Sequence, residues 1–221
     1  MQALEEIAEN ARLNFEAQTK ARDKALSQTR VLIRHCAHAI RAVHREERVT
    51  ALEELSQAQA LVFSLQSDLE VYPQLYHAGY TQDALKEFAE AKITFAFIFN
   101  EELPSPGELR LGYGTYLQGL AEANGELRRR CLDILRHGYS EEAERLLGAM
   151  DDIYAILVTM DFADAITGGL RRLTDIVRSI NERTRGDLTI TLRESHLENS
   201  LKRLEEQMKN GDWKTDHHPS I

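Results

Sequence analysis

The chain has 221 residues, 43% of them hydrophobic, and a formal net charge of −9. That length and apolar content suffice for one folded domain with a buried core and exclude wholesale disorder, while the charge excludes a generically basic nucleic-acid binder, though not one whose arginines gather on a single face. No run approaches the roughly 18 apolar residues of a membrane span, and the acidic start MQALEEIAENARLNFEAQ lacks the basic and apolar regions of a secretion signal, so a soluble, cytoplasmic protein with no membrane contact is expected.

Prolines occur only at 73, 104, 106 and 219, and Ala, Leu, Glu and Arg are abundant. Both features predict an all-α, single-domain antiparallel bundle of about seven helices, over 3–46, 48–71, 81–100, 107–137, 140–160, 169–185 and 187–209. Residues 1–209 form the expected domain and 210–221 a flexible C-terminal tail, whose His217 and His218 read as solvated.

On the first helix Arg30, Arg34, His38, Arg41, Arg45 and Arg48 fall within about 80° of one another, opposite Leu32, Cys36, Ala39, Ile40 and Val43. A helical face that is nearly all positive, in a chain this acidic, points to an anion, and its length of about 27 Å follows several phosphates. Cys36 and Cys131 sit among apolar helical positions and read as small buried hydrophobes.

The third helix, QDALKEFAEAKITFAFIFNEE, is apolar nearly all round from Ile93 to Phe99 and must be buried on most sides, although ITFAFIF alone is β-prone. Glu87 and Glu90 lie one turn upstream, on a face with Asp83 and Thr94. Carboxylates beside so buried a segment must be paired, protonated or bound to a cation.

In the fourth helix, LAEANGELRRR, Glu122 and Glu126 share a face with Gln118, Arg129 and Asp133. Taken alone this reads as a solvated face, except that Gly119 and Gly125 each cost roughly 1 kcal/mol in a helix interior, as though something must approach the backbone there. Were the two glutamate pairs to face each other, the cluster would call for a hard divalent cation, Mg²⁺ or Mn²⁺. The Glu-x-x-His motifs of di-iron bundles do not occur. Ser140 followed by Glu141, Glu142 and Glu144 predicts a capped start for the fifth helix, and Gly186-Asp187 predicts a break between the last two. On the sixth, Arg171 and Arg178 stand four residues before Asp175 and Glu182, the spacing of intrahelical ion pairs.

Four collinear segments, ARDKALSQTRVLIRHCAHAIRAVHREE, LKEFAEAKITFAFI, YLQGLAEANGELRRRCLDIL and INERTRGDLTITLRESHLENSLKRLEE, resemble the translin family over about residues 20–208. That family holds translin, a nucleic-acid-binding subunit, and Trax, its catalytic partner. Trax-like subunits carry metal-binding catalytic acids as an i, i+3 pair and an i, i+4 pair in helices matching KEFAEA and YLQGLAEANGEL. Glu87 and Glu90 match the first pair, Glu122 and Glu126 the second, and Glu122 stands where Trax-like subunits usually have aspartate. The resemblance implies an Mg²⁺-dependent endoribonuclease (Mn²⁺ as a substitute) that cuts single-stranded RNA inside a closed homo-oligomer such as an octamer. The basic stripe, with Arg129, would then contact the RNA backbone. The alternative is a translin-like protein that binds single-stranded RNA or DNA without cutting it.

Overall fold

The computed structural model describes residues 1–209, so the tail expected from 210, with His217 and His218, lies outside the described residues. The described chain is helical throughout: α1 (Gln2–His44), α2 (Arg48–Asp68), α3 (Pro73–Tyr76), α4 (Gly79–Phe99), α5 (Pro106–Leu109), α6 (Tyr113–Leu135), α7 (Glu141–Leu157), α8 (Asp164–Thr167) and α9 (Leu170–Lys209). No helix among the described residues is long and apolar enough to cross a membrane.

The element boundaries follow local chemistry. Asn100 adopts a left-handed conformation (φ 52°) that ends α4. Ser105 and Glu108 form a reciprocal capping box around α5, with Pro106 at its first position. Ser140 caps α7 by accepting from the Glu142 amide ahead of an acidic first turn.

Apart from the single turns α3 and α8, which are not among the seven expected helices, two boundaries differ from expectation. The span 107–137 divides into the single turn α5 and the long α6. The break at Gly186 is missing, and α9 runs straight through it. Val177, Asn181, Thr184 and Leu188 stay in register on one buried face of α9, and their packing outweighs the roughly 1 kcal/mol a helical glycine costs. Arg178 does pair with Glu182 at 3.1 Å, but Arg171 reaches Asp161 instead of Asp175.

Side-chain bonds give the helix directions. Lys24 bonds Asp68, Gln28 bonds Ser64 and His35 bonds Glu54, so α1 and α2 are antiparallel. Gln82 meets Thr115 and Lys86 meets Glu122, so α4 and α6 run the same way, a departure from the antiparallel packing expected of the bundle. The segment between them makes this possible by returning along α2: Arg48 at the start of α2 pairs with Glu101, and Gln66 near its end donates to the Arg110 carbonyl. Asn124 to Asn181 and Arg128 to Thr184 make α6 and α9 parallel as well.

One core cluster joins α1, α2, α4, α6, α7 and α9, with Leu32, Leu55, Phe88, Leu127 and Met150 all fully buried. Cys36 and Cys131 are buried in it. The β-prone ITFAFIF run is helical, with Ile93, Phe95 and Ile98 buried, because its apolar residues meet neighbours on several sides of α4. At the chain's two helical extremes, Leu4, Ile7 and Phe15 of α1 and Leu197, Leu201, Leu204 and Met208 of α9 remain exposed.

Candidate carboxylate site and basic face

The site begins at a close approach of two backbones. A Cβ placed on Gly119 would lie 2.5 Å from the Ala89 Cβ, 2.9 Å from the Lys86 carbonyl oxygen and 3.0 Å from the Glu90 amide nitrogen. Only glycine lets α6 settle this deeply onto α4. Gly125 has open space around it, so of the two glycines flagged by the sequence only Gly119 answers to a close neighbour.

Because the helices meet at Gly119 and run parallel, Glu122, three residues on, is carried over Lys86, Glu87 and Glu90. One carboxylate oxygen from each of Glu87, Glu90 and Glu122 lies within 4.8 Å of the others. Lys86 Nζ donates to Glu122 Oε1 at 2.7 Å. Burial opposes the Lys86 charge, but the bond to Glu122 and the charges of Glu122, Asp83 and Glu87 hold it above the usual lysine range.

The fourth acid has different partners. His44 of α1 bonds through Nε2 to Glu126, and Arg129 Nη1 stands 3.4 Å from the same oxygen. The His44 side chain is 5% exposed, and its Nδ1 is buried without a partner among the described residues.

Burial, and then the charges of Glu87, Glu122 and Glu126, push Glu90 up to about 8. Glu87 is raised too, by burial first and then by Glu122. Glu126 is lowered, chiefly by the bond from His44. Cys36 closes the site from α1: burial, then the charges of Glu87 and Glu90, drive its thiol far up, which makes it an inert wall.

The donor set suits a hard divalent ion. All three converging ligands are carboxylate oxygens, the chemistry of Mg²⁺ and Mn²⁺, and the burial and, after it, the mutual repulsion that raise Glu87 and Glu90 are what such an ion offsets.

Along the basic face, Arg30, Arg34, His38, Arg41 and Arg45 are all exposed. His38 leans 3.5 Å from Glu54, and Arg48 is taken up by Glu101, whereas Arg30, Arg34, Arg41 and Arg45 have no ion pair among the described residues. At 100° per residue, Arg41 lies about 60° round α1 from His44, and Arg30 about 40°, so the face borders the carboxylate site on its exposed side. The three arginines of α6 separate: Arg129 stays with Glu126, Arg128 binds Thr184 and Asp187 of α9, and Arg130 pairs with Glu46.

Lys86 and His44 were not picked out from the sequence. The signals were present. His44 continues the apolar run Ile33, Ala37, Ile40 at helical spacing, a position that calls for a buried partner, and Lys86 is the one cation within the acidic turn Asp83–Glu90.

The fold and site define an all-α protein with a carboxylate cluster between parallel helices and an arginine face beside it. No protein-family model matches the chain. An uncharacterized protein of Methanocaldococcus jannaschii is 31% identical over 206 residues, covering 92% of this chain and 90% of that one. The structure of AfC3PO in complex with duplex RNA superposes with a TM-score of 0.78 at 30% identity, over 85% of this chain and 97% of that chain. AfC3PO alone gives 0.78 at 29% identity. Apo-NeC3PO gives 0.76 at 20% identity, over 83% and 96%, and shares the fold. The chain belongs to the translin family, in its Trax-like group.

Proposed function

We propose that the chain is an Mg²⁺-dependent endoribonuclease, with Mn²⁺ able to replace Mg²⁺, that binds RNA along α1 and cleaves it at Glu87, Glu90, Glu122 and Glu126. The observation that carries this reading is the convergence of Glu87, Glu90 and Glu122 from two helices to within 4.8 Å. Glu87, Glu90 and Glu122 would hold the ion, with Glu126 adjoining. Once bound, the ion supplies Lewis-acid neutralisation of charge on the phosphoryl oxygens.

The protein's own groups do the rest. The attacking water forms the new phosphorus–oxygen bond and gives its proton to a carboxylate of the cluster, while the bond to the departing ribose oxygen breaks and that oxygen leaves with a proton from solvent. His44 and Arg129 keep Glu126 ionised and fixed. Arg30, Arg34, Arg41 and Arg45, with His38 and Arg129, would hold the strand by its phosphates, giving weak sequence preference and marked salt dependence. The RNA bound by AfC3PO supports an RNA ligand, and single-stranded RNA is the substrate proposed. The exposed apolar residues of α1 and α9 support assembly into a homo-oligomer such as an octamer, which would enclose the site.

The test is cleavage of single-stranded and duplex RNA of one sequence, with Mg²⁺ and with chelator, by the native chain and Glu122→Gln. Cleavage that survives in chelator, or is equal in the two proteins, removes the carboxylate assignment. A second reading, a binder of single-stranded RNA or DNA that does not cut, draws on Lys86 and His44, which already satisfy Glu122 and Glu126 with protein cations and donors. It expects salt-sensitive binding that persists in chelator and no turnover. Arg34→Glu with Arg41→Glu should weaken binding under either reading. Unchanged binding would take α1 out of the interface.

A further inference from the structure

We infer that the Lys86 ammonium and a divalent cation are alternative counter-ions for Glu122, so that loading the carboxylate site displaces Lys86 and this one side chain sets the site's metal affinity. The inference rests on the carboxylate reading above and adds a residue to it.

Three observations lead here. First, Lys86 Nζ lies 2.7 Å from Glu122 Oε1, on one of the three acids whose oxygens converge. A carboxylate oxygen that accepts from an ammonium at that distance is in a different bonding state from one that ligates a doubly charged ion, and the two cations repel each other at any separation that lets both touch Glu122. Second, the backbone cannot open to admit both. The Lys86 carbonyl and the Glu90 amide are pressed against Gly119, so the segment bearing Lys86, Glu87 and Glu90 is fixed relative to Glu122, and the adjustment falls to the lysine's flexible four-carbon stem. Third, the fourth acid is not available to take over. Glu126 is engaged by His44 and Arg129, so Glu122 is the α6 ligand for which the two cations compete.

Lys86 is on this view a positioning residue that holds the three acids together and gives way to the ion. Removing it deletes a competitor, so the expected sign is opposite to that of a lost ligand. Lys86→Met should bind Mn²⁺ roughly tenfold or more tightly than the native chain, read by calorimetry or by the loss of the free Mn²⁺ paramagnetic signal. It should also melt at a lower temperature in chelator and gain more on Mn²⁺ addition. In the native chain, reductive methylation of Lys86, followed by mass spectrometry, should rise when Mn²⁺ is added, while that of Lys24, paired with Asp68 at 2.6 Å, stays constant. The labelling reads the native protein and so decides the matter even if Lys86→Met does not fold.

If native and Lys86→Met proteins bind Mn²⁺ equally and labelling at Lys86 does not move, the exchange is wrong while the carboxylate site stands. If neither binds Mn²⁺, the carboxylate reading and the exchange fall together.

Discussion

The glutamate pair of α4 and the pair of α6 differ in what surrounds them. Glu87 and Glu90 are raised by burial and by neighbouring acids, and among the described residues neither has a hydrogen-bonding cation of its own. On α6, Lys86 bonds Glu122, while His44 and Arg129 bond Glu126. One pair is therefore short of positive charge and the other is supplied with it. The difference assigns roles that residue type alone cannot: the α4 pair is where an added cation gains most, and Glu126 is an acid kept ionised by its own protein.

The largest effect expected from this contrast is on the proposed RNA cleavage. Glu90→Gln keeps the shape of the side chain but removes the charge from the cluster's most strained member. Cleavage should fall by roughly a hundredfold or more, the order expected when an acid of the proposed catalytic cluster is lost. Glu126→Gln should cost less, about tenfold, because the amide can still accept from His44 and Arg129. Single-turnover rates at saturating Mg²⁺ measure both. Equal losses would erase the distinction between the pairs.

Next is the geometry that brings the pairs together. Gly119→Ala forces a methyl to within 2.5 Å of the Ala89 Cβ, between two helices with no slack. Overpacking of this kind costs about 1–3 kcal/mol, and the separation it imposes moves Glu122 away from the α4 acids. Denaturant unfolding should show the lost stability, and Mn²⁺ titration a weaker site. Gly125→Ala, with open space around it, serves as the comparison and should be neutral or slightly stabilising. If the two alanine variants behaved alike, the contact at Gly119 would not be what assembles the site.

A third, smaller effect is on pH dependence. The Glu90 carboxyl is raised from 4.5 to about 8 in the folded chain, so the fold binds a proton that the unfolded chain has already released. That contribution is fully present below the unfolded value of 4.5 and is lost as pH rises through about 8. In chelator the melting temperature should fall between pH 5 and pH 9 by about 5 °C, taking ~2 kcal/mol for a coupled, partly shielded group and the 2–4 °C per kcal/mol typical of this size. Glu90→Gln should flatten the slope, and added Mg²⁺ should reverse it. An unchanged slope in Glu90→Gln would place the titration elsewhere.

What the sequence makes legible is whatever one helix encodes by itself. The all-α class, the buried cysteines, the cap at Ser140 and the arginine face of α1 are periodicities or local hydrogen bonds, and each is where expected. The order of the two acid pairs was readable for the same reason, aided by resemblance to a family.

Relations between helices were not legible. That α4 and α6 run parallel depends on residues 100–112 travelling back along α2, held by Arg48–Glu101 and by Gln66 on the Arg110 carbonyl, contacts between residues more than forty positions apart. Gly186 misled because its cost is local, whereas the packing of Val177 and Leu188 that overrides it comes from neighbouring helices. Gly119 and Gly125 look alike along the chain, and only the approach of α4 separates them. His44 and Lys86 act through partners 82 and 36 positions away, beyond any spacing rule within a helix.

The smallest of the predicted effects tests whether His44 is what separates Glu126 from its fellows. The bond from His44 is the leading cause of Glu126's lowered carboxyl, with Arg129 a lesser one. A depressed carboxyl stabilises the fold above its unfolded value, and the contribution is lost as pH falls through the folded value, the reverse of the Glu90 case. His44→Ala should therefore cost ~1–2 kcal/mol at neutral pH, the scale of a hydrogen bond to a charged group whose second partner remains. It should cost nothing further once Glu126 is protonated, so the native and variant stability curves converge at acid pH. With its main donor gone, Glu126 is left to burial and to its acidic neighbours, and the variant should take on part of the alkaline loss of stability that marks Glu90. A variant whose deficit is constant from pH 3 to pH 9 would show that His44 merely fills space, and the two glutamate pairs would then owe their difference to depth alone.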